Sequence, residues 1–142
     1  PTDPNTGNPV DSELAVSTRA ASDGMWALQC SIDGSQDDGT VWVQQHVDLS
    51  EVSTLAVDYL TTEGGGNTVT KAAVYAGPRL GMEEALTEED FDVSEPLQRE
   101  DGGGWQTFEY DVAQDDDGLV AVGITAVWES EVTAFVDDVR LR

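Results

Sequence analysis

Thr133-Ala-Phe-Val-Asp-Asp-Val-Arg-Leu-Arg142 is the stretch whose reading decides the fold. Its β-branched and aromatic residues, broken by two adjacent acids, read as a closing β-strand. Upstream, Val43-Gln-Gln-His-Val-Asp-Leu-Ser50 carries the same signal. There Val41, Val43, Gln45, Val47 and Leu49 share one face of a strand, and Trp42, Gln44 and His46 share the other, before a turn at Ser50.

The same alternation predicts strands over Glu13 to Arg19, Met25 to Ile32, Thr54 to Thr61, Val69 to Ala76, Trp105 to Val112, Leu119 to Trp128 and Val132 to Leu141. Turns separate them at Ser22-Asp-Gly24, Gly64-Gly-Gly66-Asn67, Gly102-Gly-Gly104 and Asp115-Asp-Asp117-Gly118. Trp26, Leu28, Cys30 and Ile32 fall on one face of their strand and are expected to point inward. The one helical candidate is Gly81 to Asp90, where Met82 and Leu86 stand at helical spacing. About eight strands with no βαβ rhythm predict an all-β chain: a two-sheet antiparallel β-sandwich, with at most one short helix in the 77–100 connection.

A length of 142 residues suits one core, so residues 11–142 are read as a single β-sandwich domain. Residues 1–10, rich in Pro, Asn, Thr and Gly, have the composition of a linker. A chain opening on a linker is expected to be a fragment, or a mature form whose export signal has been removed, which points to the cell exterior.

Charge excludes several partners. The chain carries 29 acids against 6 basic residues, a net charge of −23, and Lys71 is its sole lysine. Such a surface repels nucleic acid and anionic membranes. The longest apolar stretch, Leu119 to Trp128, is far short of the about 20 residues that span a bilayer as a helix. Self-repulsion is strong where the Debye length is about 10 Å, near 0.1 M salt, and weak where it shrinks to about 3 Å at 1 M. The charge and the near-absence of lysine predict adaptation to molar salt, as in extreme halophiles, with an ordinary acidic secreted domain as the alternative.

Little in the sequence suggests catalysis. There is no Gly-x-Ser-x-Gly elbow, no His-Glu-x-x-His helix and no phosphate-cradling loop followed by lysine. His46 is the only histidine and Cys30 the only cysteine, so a zinc site lacks ligands. Cys30 reads as a small core residue. The Asp115–Asp117 run fails the EF-hand register, in which Ala113 would be the first ligand. The chain is therefore read as a non-enzyme.

The pattern from Glu13 to Leu141, with Ser22-Asp-Gly24, Val47-Asp-Leu-Ser50 and Asp137-Asp-Val139, resembles the jelly-roll domains that accompany glycoside hydrolases as carbohydrate-binding modules, within the galactose-binding-like superfamily. The resemblance implies a jelly roll, a non-catalytic sugar-binding role and a structural calcium that ties an early loop to the final strand. By motif, that calcium would fall to Asp23 and Asp137, with Asp138 beside it and Asp11 or Glu13 as a further acid. Acids serving only to hydrate a halophilic surface are the alternative.

Sugar recognition needs flat aromatic faces flanked by hydrogen-bonding side chains. Trp42 fits by its outward register, with Gln44 and His46 on its face, and Tyr75 projects outward from the fifth strand beside Lys71. Ala27, Ala73, Ala121 and Gly123, small and also outward, would floor a groove. Alternatively, the 77–100 connection folds over Trp42 and makes a second small core. Trp26, Trp105 and Trp128 are assigned to core or strand-end packing. The expected function is binding of a polysaccharide or cell-surface glycan by an exported module, monomeric by default. A structural or adhesion domain without a sugar ligand is the alternative, and a small hydrolase a distant third.

Overall fold

The computed structural model describes residues 12–33, 38–63, 69–79, 86–97, 104–127 and 131–142. Its strands are β1 (Ser12–Ser17), β2 (Ala27–Ile32), β3 (Asp38–Val47), β4 (Thr54–Glu63), β5 (Val69–Pro78), β6 (Gln106–Asp111), β7 (Gly118–Val127) and β8 (Val132–Leu141). They form a five-stranded sheet in the order β1-β2-β8-β4-β6 and a three-stranded sheet in the order β3-β7-β5. Every pairing is antiparallel. This is the all-β, two-sheet antiparallel sandwich that the alternation predicts, consistent with the jelly roll that the resemblance implies.

Period-two alternation explains which side chains meet between the layers. Val120, Val122, Ile124 and Ala126 of β7 and Ala72 and Val74 of β5 face Cys30, Leu55, Val57, Tyr59, Ala134 and Val136 of the larger sheet. Cys30 is fully buried, and burial pushes its thiol pKa up to about 12, as befits the inert core residue expected of it.

Both sheets are also covered on their outer faces. Over the smaller sheet runs the segment 86–97, whose backbone joins the free side of β5: the Ala72 and Val74 amides donate to the Glu95 and Asp92 carbonyls, and the Leu97 amide donates to Thr70 O. Leu86 and Phe91 are thereby buried against Ala73, Leu119 and Ala121. Over the larger sheet, Ala20 and Trp105 pack on Ala27, Leu60 and Phe135, and the Arg19 guanidinium lies 5.7 Å from the Phe135 ring centre.

Two expectations change, those for Trp26 and for the small outward residues. In the described part of the 77–100 connection the short helix is one 3-10 turn, Glu88–Asp90, within the limit expected, where the Asp90 carboxylate accepts from the Thr87 amide at 2.7 Å. Residues 81–85, Met82 among them, lie outside the described residues, as do Trp128 and the linker-like 1–10. Trp26 is not core: β2 begins at Ala27, and Trp26 is 58% exposed because the three-stranded sheet is too narrow to roof this end of the larger one. Ala27, Ala73 and Ala121 do point outward, yet they are buried under the two covers and floor no open groove.

Candidate functional site

The outer face of β3 brings Trp42, Gln44 and His46 into one file. Because β3 pairs with β7 in unbroken register from Asp38 to Val47, alternate residues stay on one face for the length of the strand. Trp42 sits over Gly123, its cross-strand partner, and a Cβ there would lie 2.7 Å from Trp42 Cα and 1.9 Å from Val41 O. Only glycine permits that approach.

Phe91 packs against the indole, with ring centres 4.9 Å apart and planes tilted by 55°. Trp42 Nε1 donates to Gln44 Oε1 at 3.1 Å. The connection thus forms a second small core with Trp42 on its margin, half-buried, while Gln44 and His46 remain exposed. An indole packed against Phe91 with its N–H committed is a pre-oriented apolar surface, and an amide and an imidazole beside it supply donors and acceptors.

Tyr75 stands on the same side of the smaller sheet but off this file. It is half-buried in the second cluster, its hydroxyl donates to Pro78 O, and burial raises its pKa, as do Asp90 and Asp115. Phe91 gave no signal in the sequence, since it belongs to no strand period. Trp42, Gln44 and His46 offer an aromatic surface and hydrogen-bonding groups; among the described residues no three His, Cys, Asp or Glu side chains converge.

The acids expected to hold calcium do meet, but in other company. Asp137 Oδ2 accepts from the backbone amides of Ser22 (2.8 Å) and Asp23 (3.0 Å) and from the Ser22 hydroxyl (3.2 Å), and Oδ1 accepts from the Asp138 amide at 2.8 Å. Desolvation works against ionisation, yet these donors hold the Asp137 carboxyl below the ordinary carboxylate range. Asp23 contributes its amide, its side chain being exposed. Asp138, at a positive φ of 46° in the irregular stretch of β8, pairs with Arg140 at 3.2 Å. Arg140 also reaches the buried Asp58, which accepts from Thr107 at 2.7 Å. Glu13 is exposed on β1, and Asp11 lies outside the described residues. Asp137, with both oxygens engaged by N–H donors, and Asp138, paired with a guanidinium, offer few free oxygens, and the exposed Asp23 carboxylate does not join them. The described residues therefore fit poorly the six to eight oxygens of a calcium shell.

No family model and no curated protein matches the chain. Solved structures do. Over 94% of this chain, the likeness extends to a structure of carbohydrate-binding modules of promiscuous specificity from the β-sandwich superfamily, at a TM-score of 0.59 and 15% identity. This chain spans about half of that one, 54% of its length. A xylan-binding domain from Paenibacillus barcinonensis aligns over 94% of this chain and 83% of its own, at a TM-score of 0.54 and 12% identity. A mannan-recognising carbohydrate-binding module aligns over 94% and 84%, at 0.51 and 18%. Likeness at such identities is one of architecture: the chain has the β-sandwich fold of carbohydrate-binding modules.

Proposed function

We propose that the chain is a non-catalytic carbohydrate-binding module, taking a neutral polysaccharide on the outer face of β3. The observation that carries this reading is the braced indole of Trp42, set in file with the exposed Gln44 and His46. A pyranose C–H face stacks on an aromatic surface, and neighbouring amide and imidazole groups take its hydroxyls. Tyr75, in the same cluster, marks the far boundary of the platform. The net charge of −23 favours an uncharged ligand over uronates or sulfated glycans, and adaptation to high salt.

The deciding experiment is titration with soluble xylan, mannan and β-glucan in molar KCl, comparing the native chain with Gln44→Ala, His46→Ala and Trp42→Ala. Loss of affinity in Gln44→Ala and His46→Ala at unchanged melting temperature locates the site, and Trp42→Ala should abolish binding. Absence of binding to every neutral glycan would overturn the proposal. The alternative, a spacer or adhesion domain, draws on the cover itself, since Phe91 over Trp42 also serves packing alone.

A further inference from the structure

Seven large apolar side chains are exposed among the described residues: Leu14, Val16, Met25, Trp26, Val43, Val139 and Leu141. They are not scattered. Leu14 and Val16 lie opposite Cys30 and Leu28 in the β1–β2 ladder, on the core side of the larger sheet. Val139 and Leu141 line, with Val43 and Val47, a groove of about 440 Å³. Met25 and Trp26 occupy the turn into β2. Five of them, Met25 and Trp26 apart, therefore follow the seam where the smaller sheet ends at β3 and leaves its neighbour unroofed.

The backbone along that seam is open as well. Other sheet edges are guarded: β5 by the backbone of 92–97, β6 by exposed Glu109 and Asp111, β1 by exposed Glu13. Charges, prolines and covers are the usual means of keeping an edge strand from pairing. From Gly39 to Val47 β3 has neither charge nor proline, in a chain with 29 acids. Among the described residues it pairs with β7 alone. The Thr40 amide turns away from β7 to reach Glu88 Oε1 at 3.1 Å, so in the unbroken ladder the amides of Trp42, Gln44 and His46 turn the same way.

We infer that β3 pairs with β3 of a second copy of this chain, antiparallel about Gln44. Two such chains repel each other. Glu88 caps this edge at Thr40 and Asp48 follows its other end, which leaves Val41 to Val47 as the stretch where β3 itself carries no carboxylate and its outward amides are unguarded, and each chain brings the same neutral strip to the contact. The two smaller sheets become one of six strands, β5-β7-β3-β3-β7-β5. Trp42 then lies opposite the second copy's His46, and Gln44 opposite its twin, on one continuous face. The apolar grooves flank the new junction. Because the opposition is electrostatic, the dimer strengthens as salt rises.

Sedimentation equilibrium of the intact chain in low and in molar KCl tests this. The expected mass in molar KCl is twice the 15.2 kDa of one chain, falling towards one chain at low salt. Gln44→Pro removes an outward amide without touching the ladder to β7, and Gln45→Lys adds an edge charge; both should give single chains with native sheet content by circular dichroism. If Gln44→Pro does not fold, Gln45→Lys carries the test. A single-chain mass in molar KCl at the highest attainable concentration overturns the inference. So does a dimer that Gln45→Lys leaves intact, or a monomer that instead takes up an added neutral, strand-forming peptide.

Discussion

The Tyr59 hydroxyl, fully buried on β4, donates at 2.8 Å across the sandwich to the carbonyl of Gly123 on β7. The residue that makes room for Trp42 on one side of the small sheet is thereby tied to the core on the other. Tyr59→Phe removes the bond and keeps the ring, so a loss of about 1–2 kcal/mol is expected. Gly123→Ala forces β3 and β7 apart, since its Cβ would sit 1.9 Å from Val41 O, and should cost at least about 3 kcal/mol. Urea titration of both variants measures the two losses; an alanine variant less perturbed than the phenylalanine one would contradict the geometry.

Alkaline pH should unfold the protein through the same core. Burial raises the pKa of Cys30 from 9.0 to about 12 and that of Tyr59 well above its ordinary 10.0. Both groups stay neutral in the fold and ionise more readily when unfolded. Their contribution is thus complete below the unfolded values and declines as pH climbs from about 9 towards 12. Cys30→Ala should flatten the first part of that decline in a melting-temperature profile. An unchanged slope would show that the thiol is not shielded.

Strand positions were legible because alternation is a local property of the chain, and the buried Cys30 followed from it directly. What alternation lacks is the width of the opposing sheet. Trp26 has the register of Leu28 and Cys30, yet it is exposed, and Ala27, read as outward, is buried by Ala20 and Trp105 from elsewhere in the chain. The file Trp42, Gln44 and His46 was readable, whereas its brace Phe91 was not, because the 86–97 cover is held by β5 backbone bonds that any sequence makes. The role of Asp137 depends on the amides of Ser22 and Asp23, which no composition reports.

Two aromatic truncations should therefore behave in opposite ways to their sequence register. Trp26→Ala is expected to change stability by no more than about 0.5 kcal/mol, as at exposed sites generally. Phe91→Ala uncovers Trp42, Leu86 and Ala121 and should cost about 2–3 kcal/mol, the low end for a phenylalanine because the cluster is peripheral. Thermal melts of both variants, side by side in molar salt, settle the order.

Salt should stabilise the chain steeply. With a net charge of −23, compaction crowds like charges, and added ions screen them over about 10 Å at 0.1 M but about 3 Å at 1 M. Melting temperature should rise monotonically from dilute buffer into molar KCl, and sucrose, an uncharged co-solute, should not reproduce the steep low-salt part of the curve. A flat response would mean that the acids are too far apart to interact.

Arg140 should carry the role at the closing strand that sequence resemblance gives to calcium. Its guanidinium lies 3.3 Å from Asp58 and 3.2 Å from Asp138, and Asp58 stands directly opposite Asp137 in the β4–β8 ladder. Asp58 and Asp138 share one cation, and here it is covalently part of the chain, while Asp137 is served by N–H donors. Arg140→Gln is expected to cost about 2 kcal/mol, less than a fully buried pair because the arginine side chain is 35% exposed. Added calcium or a chelator should leave the native melting temperature unchanged, while calcium should partly restore the Arg140→Gln variant by taking the vacated position between Asp58 and Asp138. Asp137 adds a pH signature. Its carboxyl lies below the ordinary 3.8, so its contribution is present above that value and disappears as pH falls through its own lower one. The stability gap between the native chain and Asp137→Asn should close over that acid range at constant high salt. A native protein that a chelator destabilises would show that the guanidinium does not suffice.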